Sequence, residues 1–211
     1  MELNEEICEF IGAFIGDGYM GNYGKRKNIY VIGFSGDQTL DESYFKDYLI
    51  PLIKRNFPYT KPHLYYRKNE HTIVLVIYSK KLFRFMGFFG FSGGVKAKTV
   101  KIPENIFLNK ESHIKATLRG LFDTDGSIYF DKRPSYKSHY PRIELHLHNP
   151  GLIKMVHLLL KKFSINGNMN QNRDRIQING HENVQDFIKK VGFSNQRHIK
   201  KIKKIRASAE I

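Results

Sequence analysis

Residues 118–126 read LRGLFDTDG and residues 10–18 read FIGAFIGDG, two glycine-spaced apolar stretches that each end in Asp-Gly. The aspartates before the closing glycines, Asp17 and Asp125, are 125 − 17 = 108 residues apart. A second pair of segments, FRFMGFFGFS at 83–92 and QDFIKKVGFS at 185–194, aligns Phe85 with Phe187, Met86 with Ile188 and Gly90-Phe91-Ser92 with Gly192-Phe193-Ser194, at an offset of 192 − 90 = 102. Between these anchors, YVIGFSGDQTLDESYFKDYLIPLI and PRIELHLHNPGLIKMVHLLLKKF share an alternating run followed by a helical one. Colinear matches at nearly constant spacing mark an internal duplication. The expected division is one copy over residues 1–107 and a second over 108–211.

Each copy has the same predicted order of elements. Ile7, Phe10, Ile11, Phe14 and Ile15 fall at helical spacing, as do Ile114, Leu118, Leu121 and Phe122, and Gly18 and Gly126 end these helices. After the second helix, SIYFDKRPSYKSHYPRIELHLHN reads as strand, basic loop and strand, with Ile143, Leu145 and Leu147 on one face and Arg142, Glu144, His146 and His148 on the other. TLDE at 39–42 has the form of a capping box opening a helix that Pro51 should bend, and Asn149 caps its counterpart. A second hairpin and a short helix ending at Gly-Phe-Ser complete each copy. The predicted fold is therefore α+β, a tandem pseudo-two-fold repeat of α-β-β-α-β-β-α. Its two four-stranded antiparallel sheets carry helices on one face and form an open saddle on the other, long enough for a duplex.

Composition agrees with such a ligand. Thirty-five Lys and Arg against 20 Asp and Glu leave a formal charge of +15, the footprint of a protein that neutralises phosphates. The single cysteine, Cys8, excludes an internal disulfide framework and a cysteine-based zinc site and points to a reducing compartment. The amino terminus, MELNEEICEF, is acidic where a signal peptide is basic, and apolar runs such as TIVLVIYS are too short to span a bilayer. The expectation is a soluble intracellular protein of the cytoplasm or an organelle matrix, with no membrane partner.

The paired motif resembles that of the LAGLIDADG homing endonucleases in their single-chain, two-motif form. The second copy matches those nine letters at Leu118, Gly120, Leu121, Asp123, Asp125 and Gly126; the first keeps Gly12, Asp17 and Gly18 but has Ile15 at the sixth position. The family's repeated α-β-β-α-β-β-α order is also the one read here. The resemblance implies a site-specific double-strand DNA endonuclease acting as a monomer on a long asymmetric target, with catalysis at Asp17 and Asp125. Small residues at Gly12, Gly16, Gly120 and Thr124 would let the motif helices pack closely and bring both aspartates to the floor of the saddle. There they would hold Mg²⁺, for which Mn²⁺ can substitute, in a metal set of Asp17, Asp125, Gly16 and Thr124. By the same resemblance Gln38 and Asn149 organise water, and Lys96 or Lys98 and Arg197 or Lys200 supply the pocket's basic groups, Lys96 and Arg197 being preferred. Asn149 has the competing role of helix cap, and Asp123 is expected to bond locally. The family also includes RNA maturases, so intron RNA is the alternative partner. A degenerate DNA-binding regulator is a third reading, against which the intact aspartates argue. No splicing-domain sequence is present, which favours an intron-encoded or free-standing form over an intein.

Strand alternation then predicts the DNA-facing residues. In the first strands these are Tyr19, Tyr23 and Lys25, and Ser127, Tyr129 and Arg133; in the later strands they are Arg142, Glu144, His146 and His148, then Arg175, Gln177 and Asn179. Arg, Gln and Asn make paired hydrogen bonds to purine edges. Arg26, Lys27, Arg67, Lys68, Lys132, Lys137 and Arg173 at strand tips would grip phosphates. The corresponding face of the first copy reads as less polar, with Ile73 and Leu75 assigned to it. His146, His148, Asn149 and His157 also offer a rival one-metal constellation, which a DNA-facing strand explains more simply.

Overall fold

In the computed structural model, which describes residues 2–24, 26, 28–94, 100–108, 110–131 and 140–209, both copies adopt one plan. The first runs α1 (Glu5–Asp17), β1 (Gly18–Tyr23), β2 (Ile29–Asp37), a π-helical turn (Tyr44–Leu49) leading into α2 (Ile50–Asn56), β3 (Pro62–Arg67), β4 (Thr72–Tyr78) and α3 (Lys80–Phe88). After the short α4 (Glu104–Phe107) the order repeats as α5 (Glu111–Thr124), β5 (Gly126–Asp131), β6 (Tyr140–His146), α6 (Pro150–Lys162), β7 (Gly167–Met169), β8 (Arg175–Asn179) and α7 (His181–Lys190). The sheets have the same antiparallel strand order, β1-β2-β4-β3 and β5-β6-β8-β7. One further helix, α8 (Gln196–Ala209), lies outside the expected unit. None of the helices, among the described residues, is long and apolar enough to cross a membrane.

α1 starts where the side chain of Asn4 accepts a hydrogen bond from the Ile7 N–H, and Glu5 and Glu6 in its first turn suit the positive end of the helix dipole. It packs along α5, and glycine makes the close approach feasible. A methyl group on Gly12 would overlap the backbone carbonyl of Thr117, and one on Gly120 would overlap that of Glu9. Buried Glu9 and Arg119 tie the same two helices with N–O distances of 2.8 Å. Around this pair a single core joins both copies, with Phe10, Phe14, Phe34 and Leu75 on one side and Leu121, Phe122, Leu145 and Ile176 on the other. Cys8 belongs to it, and burial pushes its thiol up to about 12, so it packs as a small apolar residue.

Two local expectations change. The TLDE segment does not form a capping box. Asp37 instead accepts from the Thr39 and Leu40 N–H groups at 2.8 Å, and Glu42 binds Lys46 and Tyr66. The helix that follows opens as a π turn whose last bond runs from the Ile50 N–H to the Phe45 carbonyl. That widening accommodates Pro51, which has no N–H and whose ring crowds the preceding turn. The second change concerns β4. Ile73 and Leu75 point into the core with no exposed surface, and the open face carries Val74 and Val76 instead. In an all-apolar run such as TIVLVIYS, alternation gives no parity, and a one-residue slip exchanges the two faces; pairing of Leu75 with Phe34 decides it.

Candidate active site and nucleic-acid interface

Asp17 is the last residue of α1 and Asp125 caps the C-terminus of α5, so the two aspartates stand at the C-terminal ends of two helices that pack closely along each other. A methyl group on Gly16 would lie 2.8 Å from Oδ2 of Asp125 and would overlap the Thr124 hydroxyl. Gly16 and Asp125 line one small cavity of about 140 Å³, together with His146, His148 and Asn149. Both aspartates are partly exposed. Each helix also directs the negative end of its dipole here, so negative charge accumulates at the junction. Partly exposed oxygen donors at a negative junction fit a hard divalent cation. The Thr124 carbonyl already accepts from Arg197 at 2.7 Å, and the Thr124 hydroxyl bonds back to the carbonyls of Gly120 and Leu121.

Arg197 does not stand free in a pocket. Its guanidinium bonds the carbonyls of Asp123 and Thr124, pairs with Asp41 at 2.9 Å and donates to Nε2 of His198 at 3.2 Å. It closes the C-terminus of α5 with a cation and straps it to the first copy, because Asp41 precedes the π turn. Asp123 bonds far along the chain rather than locally, accepting from the Ser194 and Asn195 N–H groups at 2.9 Å. Burial pushes its carboxyl well above the usual range, and those two N–H groups oppose the shift. Buried Asn195 donates to Asp41 and to the Asp123 carbonyl. Asp41 and Asn195 carry no local signal in the sequence, and the Gly-Phe-Ser repeat that marks Ser194 gives no sign of its bond to Asp123, since each is defined by a partner more than 70 residues away.

Asn149 is the helix cap. Its Oδ1 accepts from the Leu152 N–H at 3.1 Å and its Nδ2 donates to the Val100 carbonyl at 2.8 Å, so a water-organising role gives way to holding the inter-copy segment. Gln38 is half-buried in the turn after β2, its N–H bonded to the His71 carbonyl. His146 lies 3.8 Å from Asp174 and its ring meets that of His148 at 5.4 Å. His157 stands apart on α6, where burial lowers its pKa. Lys96 and Lys98 lie outside the described residues, as do Lys25, Lys27, Lys132, Arg133 and Lys137.

The open faces correspond position by position, because Gly18 pairs with Phe34 and Phe34 with Leu75 as Gly126 pairs with Leu145 and Leu145 with Ile176. In the second sheet the face is a polar lattice. Glu144 accepts from Gln177 at 2.7 Å and Tyr129 at 3.2 Å and pairs with Arg175 at 3.6 Å, while Arg142 bonds Asn179 and Asp131 at 3.0 Å. Ser127 faces the same side opposite Glu144. At the places of Arg142, Glu144, Arg175 and Gln177 the first sheet has Val31, Gly33, Val74 and Val76, flanked by Tyr19 and Tyr23. Arg26, Arg67, Lys68 and Arg173 are exposed at turns or strand ends, Arg67 paired with Glu70 at 3.0 Å.

Comparison with known proteins accords with this geometry. Residues 112–192 match the family model of the LAGLIDADG-like domain. The chain is 26% identical over 204 residues to the replication factor C small subunit of Methanocaldococcus jannaschii, a match that covers 97% of this chain and 10% of that protein. It spans 10% to 21% of the length of three curated relatives that it matches. Among solved structures, the homing endonuclease I-DmoI in complex with DNA and manganese superposes with a TM-score of 0.62 at 17% identity, covering 89% of this chain and 96% of that one. I-WcaI bound to its DNA recognition sequence gives 0.57 at 20% identity, over 90% and 82%. The second repeat thus matches the LAGLIDADG-like domain over residues 112–192, and the chain as a whole has the fold of I-DmoI and I-WcaI.

Proposed function

We propose that this protein is a site-specific double-strand DNA endonuclease that holds Mg²⁺ between Asp17 and Asp125, with Mn²⁺ able to replace it. The observation that carries the reading is the close packing of α1 and α5, whose C-terminal ends bear Asp17 and Asp125, with Gly16 set against the Asp125 carboxylate. One chain supplies both aspartates, which supports a monomer acting on an asymmetric target. A cation bound there supplies Lewis-acid activation of a water and neutralises charge on the leaving 3′ oxygen. The protein's own part is positional. Gly12 and Gly120 bring the helices together, Gly16 leaves room for the Asp125 carboxylate, and Arg197 holds the end of α5. Gln38 and Lys96 remain proposed pocket residues from the first copy.

The test is cleavage of a random-site plasmid library in Mg²⁺, with the cut ends sequenced. Asp17→Asn and Asp125→Asn should each lower cutting by at least about 10³-fold while target binding stays within a few fold, because charge at the dyad is lost and the groove contacts remain. Asp123→Asn should keep cutting and lose stability, since its carboxylate serves the Ser194 and Asn195 N–H groups. Robust cutting by either dyad variant would remove the assignment. Preferential binding of folded intron RNA with no duplex cleavage would turn the reading toward a maturase.

A further inference from the structure

The two open faces share a backbone plan and carry opposite chemistry. Val31, Val74 and Val76 of the first sheet form a small apolar cluster separate from the main core, with Tyr19 packed against it. The ring of Tyr19 lies where a side chain on Gly33 would be, and that of Tyr23 lies where one on Gly21 would be, so both rings rest flat on the sheet. Tyr65, paired with Val74, and Tyr78, at the end of β4, extend this paving on the same face. Tyr23, Tyr65 and Tyr78 stay about half exposed, at 54%, 48% and 54%. Val31, Gly33, Val74 and Val76 stand where the second sheet offers Arg142, Glu144, Arg175 and Gln177, and Tyr19, Tyr23 and Tyr78 where it offers Ser127, Asp131 and Asn179.

The occupant of this face follows from its setting. It repeats the second sheet's strand plan, begins at β1 directly after the end of α1 that bears Asp17, has Arg67 and Lys68 exposed at one strand end and belongs to a chain of net charge +15. A duplex read by both copies therefore presents one half of its bases to this face. In the major groove the one apolar group a base pair presents is the 5-methyl of thymine. We propose that the first sheet recognises its half of the target by apolar contact with thymine methyl groups, made by tyrosine rings over a valine floor, while the second sheet reads its half by hydrogen bonds. This inference rests on the endonuclease reading above.

The probe is the duplex that the protein selects from a random-site library, with thymidine replaced in one half-site at a time by deoxyuridine, which lacks the methyl group. Gln177→Ala identifies the half facing the second sheet as the one in which base discrimination relaxes. Deoxyuridine in the other half should weaken binding about four-fold for each contacted methyl, and in the second-sheet half by less than two-fold. Tyr78→Asn, which installs at an exposed position the residue type of Asn179, should remove part of that methyl sensitivity. Equal sensitivity in both halves, none in the first, or a selected first half-site without thymine would overturn the proposal while leaving the endonuclease reading intact. Failure to select or cut any duplex, with preference for single-stranded RNA stacked on the same tyrosines, would overturn both.

Discussion

Asp123 and Asp125 stand two residues apart at the end of one helix and do different work, because one faces inward to the Ser194 and Asn195 N–H groups and the other faces the helix junction. The same inner network holds His198, whose Nε2 accepts from Arg197 and whose ring stacks on Phe193 at 4.6 Å. Burial, with the charges of Arg197 and Lys201, lowers its pKa to about 3. Its ordinary value is near 6.5, so between those limits the unfolded chain binds a proton that the folded chain does not. The stability this contributes is fully present above pH 6.5 and is lost as pH falls toward 3, at up to about 1.4 kcal/mol per pH unit. Asp123 acts in the opposite sense, its raised pKa favouring the folded state at lower pH, so the readout is a comparison of two proteins. Melting temperatures measured from pH 7 to pH 4 should fall less steeply for His198→Gln than for wild type, and parallel curves would show that His198 does not titrate in this window.

At the scale of elements the decisive contact is the one between α1 and α5. Gly12 and Gly120 each sit against backbone of the opposite helix, which cannot move aside as a side-chain tip can. Gly12→Ala should therefore cost about 3 kcal/mol, the upper end for an overpacked core, or roughly 6–12 °C in melting temperature. Gly87, near the end of α3, has nothing within 4 Å of where its Cβ would be. Gly87→Ala should stabilise by about 0.5–1 kcal/mol through reduced backbone freedom of the unfolded chain. Thermal melts of the two variants check both signs at once. A Gly12→Ala protein as stable as wild type would mean that the helices tolerate separation and that the aspartate geometry is looser than the packing implies.

For the whole molecule, the charge of +15 and the two repeated sheets make salt the natural probe. Binding that neutralises phosphates releases counterions, so the slope of log affinity against log salt should be near −0.9 for each phosphate contact. Lys68→Ala at the end of β3 should make the slope shallower by about one contact and weaken all duplexes alike, whereas strand residues such as Arg175 should alter selectivity in one half-site. A flat titration would assign the charge surplus to something other than a groove filled by DNA.

The duplication, the two motif helices and the order of elements along the chain were legible from sequence because each is a local period or a repeat: glycine-spaced apolar turns, alternating faces, and Gly-Phe-Ser at a nearly constant offset. The polar face of the second sheet was legible for the same reason, since Arg142, Glu144, Arg175 and Gln177 alternate with isoleucine and leucine. The face of the first sheet was not, because TIVLVIYS is apolar throughout and only pairing with β2 sets which half of it turns outward. Pro51 announced a disturbance, but its resolution as a π turn depended on the surrounding packing. The cap at Asn149 was legible, but not the Val100 carbonyl that its Nδ2 meets, nor the carbonyls and carboxylate, distant in sequence, that hold Arg197. Periodicity records which side of an element is buried, and it holds no information on which distant group a buried polar atom will meet; tertiary packing alone decided that.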